Sequence, residues 1–135
     1  MSDLRITSSQ IQGEVSVTIL HLKGQLDGST ENQLLDRARQ AQEDGVNHLL
    51  IDLTEVNMLS SAGLRAIHNI FKLFTPQSDV EIMHQHKEPY KSPYLKLVCP
   101  NPEIYYVLNI TGFLQNILIY NNMEDALNSF SNGQT

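Results

Sequence analysis

The chain has 135 residues, 41% hydrophobic and 18% charged, which is enough for one ordinary core and too short for two comfortable domains. Nine Lys and Arg against fifteen Asp and Glu leave a formal charge of −6, which works against an electrostatic grip on nucleic-acid phosphates or anionic lipid. Cys99 has no second cysteine to pair with, the start does not resemble a signal peptide, and no apolar run approaches the roughly twenty residues of a membrane-spanning helix; a cytoplasmic protein with no direct nucleic-acid or membrane partner is expected.

Leu4 and Ile6, then Val15, Val17 and Ile19, alternate with other residues and predict two strands joined by a turn near Gln12-Gly13-Glu14. Leu20 and Leu22 fall on the face opposite Val17 and Ile19, so the second strand should be buried on both sides, as a central strand is. After Gly24 the run Asp27-Gly28-Ser29-Thr30 leads into a helix with an apolar stripe of Leu34, Ala38 and Ala41 and a stop at Gly45. Thr30 and Gln33 have the spacing of a capping box. Residues 48–53 read as a buried parallel strand, and Ser60 and Ser61 as caps of a helix carrying Leu64, Ile67, Phe71 and Phe74.

Residues 75–93 contain Pro76, Pro89 and Pro93 and several charges, and predict a long mobile loop in which Val80, Ile82 and Met83 are the one candidate for an ordered piece. A strand follows at 95–99. Asn101 as cap and Pro102 as first helical residue open a helix with Ile104, Val107, Leu108 and Ile110, ending at Gly112. Residues 117–120 form a last strand, Asn122 and Asp125 open a last helix with Met123, Ala126, Leu127 and Phe130, and the tail 131–135 is expected to fray. Strands alternating with helices predict an α/β sheet with crossover connections.

The most informative junction is Val56-Asn57-Met58-Leu59-Ser60-Ser61-Ala62-Gly63-Leu64. Hydroxyls stand there at a helix start, where unpaired N–H groups and the helix dipole favour an anion; on spacing alone an ordinary cap at Ser60 or Ser61 is the favoured reading, because such caps are common. The stretch from Asp52 to Leu64 resembles the signature of STAS domains of the anti-sigma-factor antagonist type. Gly24-Gln25-Leu26-Asp27, Asn101-Pro102-Glu103 and Val107-Leu108-Asn109-Ile110-Thr111-Gly112-Phe113 resemble the same family, so the similarity spans most of residues 4–127.

That resemblance implies a single STAS-type domain over 1–135, a small mixed sheet with helices packed mainly on one face. It implies a non-enzymatic regulator whose serine in a Ser-x-Gly unit, here Ser61 of Ser61-Ala62-Gly63, is phosphorylated by a partner kinase that is also an anti-sigma factor and is restored by a PP2C-type phosphatase. The position before it, often aspartate in the family, is Ser60, which makes Ser60 the alternative acceptor. The resemblance also places the Asp27 loop beside the serine, leaving Asp27 either a partner contact or a turn aspartate. Met58 and Leu59 are either a docking patch or core, and complete a partner-binding set with Asp27, Ser60 and Gly63. The alternative function is a scaffold or sensory module in a signalling complex that does not act on a sigma factor.

No cofactor or metal is expected. His84 and His86 would need Glu88 or Cys99 to complete a metal site and read as solvated loop histidines; Cys99 reads as a buried small hydrophobe. Neither a phosphate-loop motif nor a serine-hydrolase elbow occurs, and Asp52 and Glu55 are two acids at a strand end.

Overall fold

A computed structural model describes residues 3–85, 90–112 and 114–131. The chain runs β1 (Leu4–Gln12), β2 (Ser16–Leu26), α1 (Glu31–Glu43), β3 (Leu49–Leu59), α2 (Ser61–Phe74), α3 (Gln77–Gln85), β4 (Leu95–Val98), α4 (Pro102–Ile110), β5 (Leu118–Tyr120) and α5 (Met123–Ser131). The strands form one mixed sheet in sequential order, β1 antiparallel to β2 and all other neighbours parallel. Parallel neighbours need crossovers, and the right-handed preference puts those helices on the same face. Accordingly Leu20, Leu22, Ile51, Leu53 and Leu97 share one core with Leu34 and Ala38 of α1, Ile67 and Phe71 of α2, and Ile104 and Leu108 of α4. Helix α5 follows the last strand and covers the other face, where Val17, Ile19, Leu50 and Val98 meet Ala126 and Phe130. The opposite facing of Val17/Ile19 and Leu20/Leu22 therefore follows the alternation of β2.

Several expectations need correction. Strand β3 runs to Leu59 rather than stopping near residue 53: Val56 and Leu59 are buried, while Thr54, Glu55, Asn57 and Met58 are exposed. The extension pairs with the end of β2, Gly24 with Val56 and Leu26 with Leu59, across two register shifts. Polar residues there hide a strand that is specified by its partner rather than by its own pattern. The capping box does not form: Thr30 Oγ1 donates to Gln25 O at 2.8 Å and accepts from the Asp27 N–H at 3.0 Å, and Gln33 Nε2 reaches Leu4 O at 2.7 Å. Both side chains tie α1 to the sheet instead of to its own first turn.

The third correction is α3, which occupies much of the expected loop 75–93. Pro76 stands at its mouth, where proline is tolerated, and its carbonyl accepts from the Asp79 and Val80 N–H groups at 2.9 and 3.1 Å. Met83 and Tyr90 pack partly against the main core, Ile82 faces out, and the Tyr90 hydroxyl donates to Asp79. A proline that resembles a loop signal thus opens a helix. His84 lies in α3; His86, Glu88 and Pro89, like residues 132–135 of the expected tail, lie outside the described residues. Helix α4 starts as expected, with Asn101 Oδ1 accepting from the Glu103 N–H at 2.9 Å, but Ile110 faces outward rather than into the core. Cys99 is buried, its thiol pushed up by burial. Among the described residues no helix is long and apolar enough to cross a membrane.

Under α5 sits a buried cation. Lys96 is 3% exposed, its Nζ 2.9 Å from Ser129 Oγ and 4.4 Å from the centre of the Phe130 ring, and burial lowers its pKa. Ser129 is in the last turn of α5, so the ammonium also meets the negative end of that helix. His48 packs on Tyr94 and edge-on to Phe130. Its pKa falls below the ordinary 6.5, first through burial and then through Lys96. A histidine depressed in the folded state is protonated first in the unfolded chain, so its contribution is fully present above 6.5 and is lost as pH falls. Melting scans from neutral pH down through the histidine range should therefore show a fall in stability that is shallower in His48→Gln; an identical slope in the two proteins would exclude the contribution.

Candidate functional site

Two chain segments meet at one end of the sheet. Strand β2 ends at Leu26 and turns through residues 27–30 into α1, while β3 ends at Leu59 and passes through Ser60 into α2. Leu26 pairs with Leu59, and Leu26 O accepts from the Ser60 N–H at 3.0 Å. The same carbonyl lies 2.7 Å from where a Cβ on Gly63 would stand, with Leu59 Cδ1 also at 2.7 Å. Gly63 is thus the close approach that lets α2 start directly against β2. On the outer side, a Cβ at Gly28 would be 3.9 Å from the Ala62 Cβ, so the 27–30 turn rests on the first turn of α2.

The two serines divide their roles. Ser60 is the extended N-cap, half-buried, its Oγ accepting from the Gly63 N–H at a long 3.4 Å. Ser61 is the first residue of α2 and is exposed. The first turn of α2 carries no acidic side chain, so the helix end is electrostatically open to an anion. Asp27 takes the turn geometry: its Oδ1 accepts from the Ser29 N–H at 3.0 Å and the Ser29 hydroxyl at 2.8 Å, and its carbonyl from the Thr30 and Glu31 N–H groups.

Met58 and Leu59 point opposite ways. Met58 is 37% exposed and Leu59 belongs to the core. Both border an open groove of about 550 Å³ whose far wall is Pro102, Tyr106 and Val107 of α4. Tyr106, 66% exposed, and Ile110 extend this apolar surface along α4. Sequence pattern alone does not pick out Tyr106, because tyrosine carries no periodic signal of its own. Nor does it pick out Arg65, whose Nη2 meets Glu31 Oε1 at 3.2 Å across α2 and α1; the four-residue interval from Ser61 to Arg65 is the one signal that could have found it.

A second constellation lies across the sheet face that carries α5. Ser9 Oγ is 2.9 Å from His21 Nε2, His21 Nδ1 is 3.0 Å from Asp52 Oδ2, and Asp52 Oδ1 accepts from the Thr54 N–H at 3.0 Å. The connectivity is that of a nucleophilic relay, but Ser9 sits within the β1–β2 ladder opposite Ile19. The neighbouring backbone N–H groups lie in the plane of the sheet, so they do not converge above the hydroxyl to hold an oxyanion. The relay serves to join three strands through their side chains.

The profile of the STAS domain matches residues 8–88, more than half of the chain. Solved structures of similar fold include an anti-sigma factor antagonist from Mycobacterium paratuberculosis, 19% identical, with a TM-score of 0.75 over 95% of this chain and 94% of that one. They also include the anti-sigma factor antagonist SpoIIAA in its unphosphorylated form, 15% identical, TM-score 0.61, over 96% and 99%. The Bacillus cell fate determinant SpoIIAA in its phosphorylated form is 13% identical, TM-score 0.57, over 92% and 97%. No curated protein sequence matches. At these identities the structures show likeness of fold, whereas the profile match assigns the family: the chain belongs to the STAS domain family.

Proposed function

We propose that this protein is an anti-sigma-factor antagonist of the cytoplasm, non-enzymatic itself, which binds an anti-sigma serine kinase while Ser61 is unmodified and loses that partner when Ser61 is phosphorylated. A PP2C-type phosphatase resets the cycle. The observation that carries this reading is the division of labour at the start of α2: Ser60 holds the cap, which leaves Ser61 exposed on the first helical turn beside the Asp27 turn. Ser60, half-buried and capping, is the poorer acceptor. Asp27, Met58 and Ser60 supply the contact surface, while Leu59 and Gly63 support it from beneath. The exposed apolar run from Met58 to Tyr106 is the kind of patch that marks protein contact. The likeness of fold to a protein solved both unphosphorylated and phosphorylated supports the cycle.

Intact mass of the protein from its own host, with mapping of any added phosphate, tests the reading. Ser61→Ala is expected to abolish the singly phosphorylated species. Because Ser61 is not the cap, stability should change by less than about 0.5 kcal/mol. Wild-type phosphorylation of the alanine protein at Ser60 would move the site by one residue; no phosphate in the wild type under any growth condition would reject the cycle.

A further inference from the structure

We infer that phosphate on Ser61 takes Arg65 away from Glu31, so that modification unties α1 from α2 as well as adding charge to the surface. The inference rests on Ser61 being the modified residue. Arg65 stands four residues along α2, one turn away on the same helix face. Along α2 it is the basic side chain nearest in sequence to a group on Ser61. In the unmodified protein its Nη2 lies 3.2 and 3.4 Å from the two carboxylate oxygens of Glu31, the first residue of α1.

The two partners are unequally held. The Arg65 side chain is 55% exposed and that of Glu31 19%, so the guanidinium is free to swing while the carboxylate stays against the protein. An ion pair this exposed is weakly held. Nη2 alone makes the contact, so Arg65 is not locked to Glu31 by a two-nitrogen fork. A phosphoserine brings about −1.5 to −2 charges and three acceptor oxygens against the single charge of Glu31. Arginine meets such a group with its planar fork, and the competition falls to the dianion. Glu31 then loses its partner next to the Asp27 turn, since Glu31 N–H is already bonded to Asp27 O at 2.8 Å. The surface offered to a partner changes on both elements that build it.

The test uses protein carrying genetically encoded phosphoserine at position 61, so that it does not depend on any kinase. Phosphorus NMR follows the second phosphate ionisation, ordinarily near pH 6. With Arg65 present it should lie lower, and Arg65→Gln should raise it by a few tenths of a pH unit, with Arg65→Lys between the two. Glu31→Gln should lower it, and by more in the Arg65 protein than in Arg65→Gln, because only there is a competitor removed. A titration unmoved by Arg65→Gln overturns the pairing. Equal effects of Glu31→Gln in both backgrounds overturn the exchange. Failure to find phosphate on Ser61 in the host would reject the regulatory cycle while leaving this titration readable.

Discussion

Gly63→Ala is expected to destabilise the protein by about 1–3 kcal/mol, the range for a side chain forced into packed space. In an open helix the change would go the other way, since alanine is the better helix former by roughly 0.8–1 kcal/mol. Here the added Cβ meets Leu26 O and Leu59 Cδ1 at 2.7 Å and Leu26 Cγ at 2.9 Å. The leucine tips can turn aside, but the carbonyl cannot: it belongs to the paired end of β2 and already accepts the Ser60 N–H. Relief requires α2 to back away from the sheet, which exposes Leu59 and Leu64 and shifts the Ser61 position. Denaturant unfolding should show a lower midpoint with an unchanged slope. Gly28→Ala is the control, since its Cβ finds only the Ala62 methyl at 3.9 Å, and should lie within about 0.5 kcal/mol of wild type. A Gly63→Ala protein as stable as the Gly28→Ala one would mean that α2 is not pinned to β2 at this point.

Much of this arrangement is legible in the amino-acid sequence, for identifiable reasons. Strand β2 declares itself because its two faces carry different apolar sets, Val17 and Ile19 against Leu20 and Leu22, and each set finds its own core. Asn101-Pro102 declares α4 because cap and proline act locally. What stays hidden depends on partners distant in sequence. The second half of β3 is polar and exists because β2 lies beside it. Thr30 and Gln33 fit a local cap, yet bond to Gln25 and Leu4 because the sheet offers carbonyls within reach. Helix α3 has no fully buried residue, so its apolar spacing is weak, and Pro76 resembles a breaker unless its place at a helix mouth is known.

The site divides in the same way. The serine pair, the glycine and the strand-to-helix turn stand together in the sequence, and the resemblance to STAS domains adds the Asp27 loop. Which serine caps and which is exposed is decided by a single backbone geometry at Ser60, extended before the helix begins. Adjacent serines look alike in sequence and differ only there. The Arg65–Glu31 tie requires α1 and α2 to meet, and the wall supplied by Tyr106 requires α4 to meet the end of β3. No single segment contains them.

Ser61→Asp should weaken binding of the proposed anti-sigma kinase by at least about tenfold, equivalent to roughly 1.4 kcal/mol, while leaving the free protein as stable as wild type or slightly more so. The two effects have opposite signs for physical reasons. In the free protein an acid at the first helical position meets a helix start that has no acidic side chain, worth about 0.3–1 kcal/mol in its favour. In a complex the same carboxylate must be desolvated beside the Asp27 turn and Glu31, where like charge is disruptive. A loss of binding caused by misfolding would lower stability along with affinity, so measuring both separates an interface effect from a structural one. Ser61→Asn isolates charge from size and should bind within about threefold of wild type, a difference of less than roughly 0.7 kcal/mol. Calorimetric titration of the kinase with the three proteins reads the result. Equal affinity of the aspartate and asparagine variants would show that charge at residue 61 does not govern the encounter, and the partner surface would then have to be sought away from the start of α2.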